Sequence, residues 1–176
     1  RIGAGRLRLD PVPLPMAQLL LDVEHMVRPQ AEAKGLRFNV RLEGELPGWI
    51  RADPKRLRQI LVNLLSNAVR FTDEGEVLLS LDFRQQVTRI DVVDTGIGIA
   101  EQDQKRIFLP FERGSAGRRS AETGTGLGLT STHLLTDMMG GELTLQSTPG
   151  RGSTFSIRLY LPAIAPDPRH PFPVAT

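Results

Sequence analysis

Apolar residues along the chain fall into helical spacing in three stretches and alternate with polar residues in several others. Leu19, Leu20, Val23 and Val27 predict a helix starting at Met16, because Pro11, Pro13 and Pro15 prevent one earlier. Pro29 should kink or interrupt that helix, and Gly35 should end it. Leu36, Phe38, Val40 and Leu42 alternate with Arg37, Asn39 and Arg41, the pattern of a half-buried strand. A short strand over Trp49–Arg51 should follow the Pro47-Gly48 turn. Asp53-Pro54 opens a second helix, since Asp accepts from free N–H groups and Pro suits the first helical position. Leu57, Ile60, Leu61, Leu64, Leu65 and Ala68 form its core stripe, which runs to about Arg70. Val77–Phe83 and Val87–Val93 read as antiparallel strands around Gln85-Gln86. A short helix is expected over Glu101–Phe108, and a strong one over Leu127–Met139, stopped by Gly140-Gly141. Glu142–Ser147 and Ser153–Leu161 read as strands, with Phe155, Ile157, Leu159 and Leu161 on one face.

Helices set between groups of antiparallel strands predict an α+β fold, with helices on one face of a mixed, largely antiparallel sheet. Residues 15–162 form one expected domain. Residues 1–14 read as an incoming linker and residues 163–176 as a proline-rich tail or linker. Hydrophobic residues at 40% and charged residues at 24% fit a folded core rather than disorder. No apolar run reaches the roughly 18 residues of a membrane span, so this piece is expected to make no membrane contact. The first residue is Arg1 rather than Met, which fits a piece of a longer protein. With no Cys there is no thiol chemistry. A net charge of +2, scattered among acidic residues and with few aromatics, argues against nucleic acid as a partner.

The polar residues with chemical potential cluster in the middle of the chain. Asn63, Asn67 and Arg70 share one face of the second helix. Asn is a poor helix-interior residue, so two of them call for a reason. They either hydrogen-bond to neighbouring loops or hold a hydrated Mg²⁺ and phosphate oxygens, beside the charge of Arg70. Asp94 ends a strand before Gly96 and Gly98. Such an Asp either builds a turn or accepts from an exocyclic amine, with the glycines admitting a flat base. Gly124-Thr125-Gly126-Leu127-Gly128 opens a helix, as a hinge or as a phosphate cradle at the positive end of the helix dipole. The spacing is neither that of a P-loop nor that of the dinucleotide fingerprint. Between these clusters lies a polar stretch, Glu112–Thr123, whose Gly, Ser and Arg content suits a mobile cover. His25, His133 and His170 stand alone and are assigned no catalytic role.

Taken in order, four segments resemble the catalytic, ATP-binding domain of sensor histidine kinases, in the GHKL ATPase superfamily. They are Asn63-Leu64-Leu65-Ser66-Asn67-Ala68-Val69-Arg70-Phe71-Thr72, Asp94-Thr95-Gly96-Ile97-Gly98, Phe108-Leu109-Pro110-Phe111 and Gly124-Thr125-Gly126-Leu127-Gly128. The resemblance spans roughly Leu14 to Pro162. It implies a two-layer α/β sandwich of the GHKL (Bergerat) type, with ATP held under a lid. It implies that Asp94 binds adenine N6, that Phe71 lines the base pocket and that Thr154 supports Asp94. It makes Asn67 the Mg²⁺ ligand, with Asn63 near the metal and phosphates to assist proton transfer. Arg113 matches a γ-phosphate contact, and Gly96, Gly98, Phe111 and the 124–128 glycine segment complete the nucleotide site. Arg70 stands where the family usually has Lys, which exchanges a point charge for a planar fork.

The implied activity is that of a protein histidine kinase, with ATP and Mg²⁺ as cofactors. The γ-phosphoryl group passes to a histidine on a separate dimerisation domain, which this chain lacks. Residues 1–14 resemble the linker from that domain, and the tail can lead to a response-regulator receiver domain. The fragment is then expected to be monomeric and cytoplasmic, and the full-length protein a homodimer that can be anchored in a membrane. Two other readings share the fold: a GHKL ATPase that hydrolyses ATP, and a non-catalytic adaptor. Hydrolytic relatives usually place Glu where Asn63 stands, and an amide is no strong base. Asp94, Asn67 and the glycines argue against an adaptor.

Overall fold

The structure is a computed structural model that describes residues 8–107 and 127–164. The chain runs β1 (Val12–Pro15), α1 (Met16–Ala33), β2 (Arg37–Gly44), β3 (Trp49–Ala52) and α2 (Pro54–Arg70). It continues through β4 (Glu76–Arg84), β5 (Val87–Asp94), α3 (Glu101–Gln104), α4 (Leu127–Met138), β6 (Glu142–Thr148) and β7 (Gly152–Tyr160). Five strands form a sheet in the order β2-β4-β5-β7-β6, with β2 parallel to β4 and the other pairs antiparallel.

Strand alternation puts Val77, Leu79 and Leu81 of β4 on the same face as Ile90 and Val92 of β5 and Phe155, Ile157 and Leu159 of β7. All are buried, and α2 lies over them with Leu57, Ile60, Leu61, Leu64 and Leu65 fully buried. α1 and α4 pack on either side of α2, closing one continuous core. The opposite sheet face carries polar residues. There Arg89 pairs with Asp91 at 3.2 Å, and Ser156 donates to the same carboxylate. One buried face and one wet face follow directly from the period-2 pattern.

Several expectations need correcting. α1 runs through Pro29 without ending there. Proline removes one backbone bond, but Val27 and Ala31 on either side are wholly buried, and Arg28 is held by Glu24 and by the Phe38 carbonyl. Leu42 is 43% exposed because β2 is an edge strand with a neighbour on one side only. The helix expected from Glu101 ends at Gln104, and a turn carries the chain on to Ile107; Phe108 lies outside the described residues.

The proline-rich start is also more ordered than its composition suggested. Val12–Pro15 pairs antiparallel with β3. On the other edge of β3, the Arg51 amide donates to the Pro162 carbonyl and the Ile164 amide to the Trp49 carbonyl, both at 3.0 Å. The segments before α1 and after β7 therefore meet on one short strand. That strand leads directly into Asp53, the N-cap of α2.

Candidate functional site

The site begins with how α2 is fixed. Asp53 Oδ1 accepts from the Arg56 amide at 3.2 Å, and Oδ2 accepts from the Asp10 amide at 2.7 Å. At the other end, Lys34 Nζ donates to the carbonyls of Val69 and Arg70, at 2.8 and 3.2 Å. A cation at a helix C-terminus satisfies open carbonyls and suits the dipole. With both ends tied and the apolar stripe buried, the polar face of α2 has one orientation.

On that face, Asn63 Nδ2 lies 3.5 Å from Thr132 Oγ1 of α4. Asn67 is 9% exposed, and its Oδ1 accepts from Arg70 Nη2 at 2.7 Å. Burial lowers the pKa of Arg70, and among the described residues no carboxylate pairs with it. Phe71 caps α2, its amide bonded to the Asn67 carbonyl. Thr72, fully buried, ties itself to the Ala68 carbonyl at 2.7 Å.

Asp94, at the end of β5, comes up against this helix end. The Ile97 amide donates to the Phe71 carbonyl at 3.2 Å, so the Asp94–Gly98 loop is bonded to the last turn of α2. Gly96 is required for that approach, because a Cβ would run into the Phe71 carbonyl oxygen. Gly98 has a φ of 74°, and a Cβ there would strike the Thr148 carbonyl. The close approach these glycines permit is therefore to the chain's own backbone.

Asp94 is 5% exposed, and its Oδ1 accepts from the Gly96 amide at 2.9 Å. Burial pushes its pKa up, partly offset by backbone hydrogen bonds from Gly96 and Ser153. Among the described residues no Lys or Arg pairs with it. A buried carboxylate of this kind is an acceptor in search of a neutral donor.

The assignment of Thr154 as the support of Asp94 is corrected by the strand register. Ser153 stands opposite Asp94, while Thr154 stands opposite Val93 on the other sheet face. Ser153 Oγ lies 2.8 Å from Ser147 Oγ, which also accepts from the Ile99 amide at 2.7 Å. Gly152 lies so close to the Asp94 carbonyl that a Cβ would clash with it. Ser147, Gly152 and Ser153 thus form the backing of Asp94 that motif reading missed. The signal was present: buried Phe155, Ile157 and Leu159 set the parity of β7, and Ser153 shares it.

The structure brings together Asn63, Asn67, Arg70, Phe71, Asp94, Gly96 and Gly98. Leu127 and Gly128 open α4, the helix that reaches Asn63 through Thr132. Phe111, Arg113, Gly124, Thr125 and Gly126 lie outside the described residues. No cluster of His, Asp and Glu able to hold a metal exists among the described residues. The amide oxygens of Asn63 and Asn67 suit a hydrated Mg²⁺ that arrives with phosphates, and Asn67 Oδ1 already attracts a cation. No helix among the described residues is long and apolar enough to cross a membrane.

The fold and site define an ATPase-type domain, and the chain belongs to the family described as histidine kinase-, DNA gyrase B-, and HSP90-like ATPases, which matches residues 52–163. The sensor protein GacS of Pseudomonas syringae is 40% identical over 95% of this chain. The signal transduction histidine-protein kinase BarA of Escherichia coli is 35% identical over 92% of it. The chain covers only 19% and 18% of those two relatives. Full-length ShkA, solved in complex with AMPPNP, superposes with a TM-score of 0.80 at 34% identity, over 92% of this chain and 33% of that one. The catalytic domain of histidine kinase ThkA superposes at 0.73 with 23% identity, over 86% of this chain and 95% of that domain, and bears on the fold alone.

Proposed function

We propose that this domain binds ATP with Mg²⁺ and passes the γ-phosphoryl group to a histidine on a separate dimerisation domain. The observation that carries the reading is the junction of α2 with the Asp94 loop. There a buried acceptor that pairs with no Lys or Arg among the described residues sits beside a row of two amides and a guanidinium. Asp94 accepts from the adenine amine, and Phe71 walls the base. Asn67 and Asn63 supply oxygens to the metal, while Arg70, Arg113 and the 124–128 glycine segment meet phosphate oxygens.

In the reaction, the histidine nitrogen attacks the γ-phosphorus, the bond to the β–γ bridging oxygen breaks, and ADP leaves. The proton released from the imidazole passes to water, and Asn63 assists by orienting that transfer. The metal supplies charge neutralisation, and the side chains supply position. Hydrolysis is the less favoured outcome, because Asn63, where hydrolytic relatives usually have Glu, is an amide and no strong base.

The relatives named as sensor kinases support wider readings of the whole protein. Residues 1–14 join a dimerisation domain to the ATP domain of residues 15–162, and residues 163–176 lead toward a receiver domain. The full-length protein is a homodimer, with this domain on the cytoplasmic side. The experiment is incubation with γ-labelled ATP and an added histidine-containing hairpin domain. Acid-labile label on the hairpin supports the reading; release of free phosphate alone favours a hydrolase.

A further inference from the structure

Asn67 Oδ1 is the atom that the reading above assigns to the metal, and it is already engaged. Arg70 Nη2 donates to it at 2.7 Å from one turn further along α2. Asn67 is nearly buried, so few other approaches to that oxygen remain. A guanidinium and a divalent cation gathered at one oxygen repel each other, and burial reduces the screening by salt. We infer that Arg70 is a stand-in cation: it holds the Asn67 amide in place in the free protein and must leave Oδ1 before a metal takes it. The inference rests on the nucleotide reading of the site.

Phosphate is the group able to draw Arg70 away. A guanidinium gains two parallel charge-assisted bonds from phosphate, against the single bond to a neutral amide that it gives up. Packing also leaves the guanidinium unconfined, since Arg70 borders an open groove of about 460 Å³ between α1 and α2, lined by Gln30, Lys34, Ser66, Val69 and Asp73. The nucleotide phosphates therefore offer Arg70 another partner, and the metal completes the exchange by taking the oxygen from it. Arg70 is a positioning residue in this step as well as a phosphate contact, and it sets how strongly metal and nucleotide binding are linked.

The test is a calorimetric cycle with ADP, with and without Mg²⁺, on the wild type, Arg70→Met, Asn67→Ala and the double variant. Arg70→Met should weaken metal-free ADP binding, yet the factor by which Mg²⁺ tightens ADP should rise several-fold. In the Asn67→Ala background, Arg70→Met should leave that factor unchanged. A factor that is unchanged or lower in Arg70→Met, or that rises equally without Asn67, overturns the inference. Arg70→Gln, which also removes the charge, serves if the methionine variant misfolds. A second readout uses the free protein: the Asn67 side-chain amide resonance should move on Arg70→Met, and an unmoved resonance overturns the inference. Failure of the wild type to bind ADP would strike the nucleotide reading instead, leaving the resonance test intact.

Discussion

The Phe71 carbonyl accepts a hydrogen bond from the Ile97 amide at 3.2 Å, and this contact joins the two halves of the candidate site. It binds the loop after Asp94 to the end of the helix that carries Asn63, Asn67 and Arg70. Gly96 makes the contact sterically feasible. Gly96→Ala should place a methyl group against backbone that cannot swing aside. The expected loss is about 1–3 kcal/mol by urea denaturation, together with weakened nucleotide binding. Wild-type stability in this variant would contradict the geometry.

Ser153 and Thr154 offer a comparison between neighbours. Ser153 faces Asp94 and touches Ser147, whereas Thr154 lies on the opposite sheet face. Ser153→Ala should lower stability by about 1 kcal/mol and reduce ADP affinity. Thr154→Ala should change ADP affinity less. Affinities measured by fluorescence titration decide it, and a larger loss from Thr154→Ala would restore the motif-based assignment.

These two residues also mark what could be read from sequence. The apolar periodicity located both large helices, the β4–β5 hairpin and the buried face of β7, because burial fixes those patterns. The site face of α2 was legible for the same reason, since Asn63, Asn67 and Arg70 border a stripe that must point inward. Motif spacing chose Thr154, but the burial of Phe155 and Ile157 dictates the neighbouring residue. Pro29 was overestimated as a breaker because a local rule was set against tertiary packing. Strand β1 was missed because its prolines conceal a strand whose pairing partner lies far along the chain.

Asp94 links pH to stability. Burial raises its pKa in the folded protein, so between the ordinary Asp pKa and the raised value the folded state binds more protons than the unfolded chain. The contribution of Asp94 to stability therefore falls as pH rises through that window and stays unfavourable above it. Asp94→Asn keeps an acceptor for the Gly96 amide but carries no charge. It should raise Tm at neutral pH, lose that advantage below the ordinary Asp range, and lose nucleotide affinity. Thermal melts across pH check this, and a Tm lowered at neutral pH would contradict it.

The junction on β3 can be followed with the chain's single tryptophan. Trp49 is 6% exposed, and its carbonyl accepts from the Ile164 amide. Ile164→Pro removes that donor at a cost of about 1 kcal/mol. Trp49 emission should shift to the red and become more accessible to a quencher, while the circular dichroism of the main sheet and helices is kept. Unchanged emission would mean that residues 162–164 do not brace this strand.

The most direct measurement is calorimetric titration of the protein with ADP and with a non-hydrolysable ATP analogue, in the presence and absence of Mg²⁺. The account predicts saturable one-to-one binding that magnesium tightens and that Asp94→Asn weakens at least about tenfold, near 1.4 kcal/mol. Binding of neither nucleotide, or equal binding by wild type and Asp94→Asn, would contradict it.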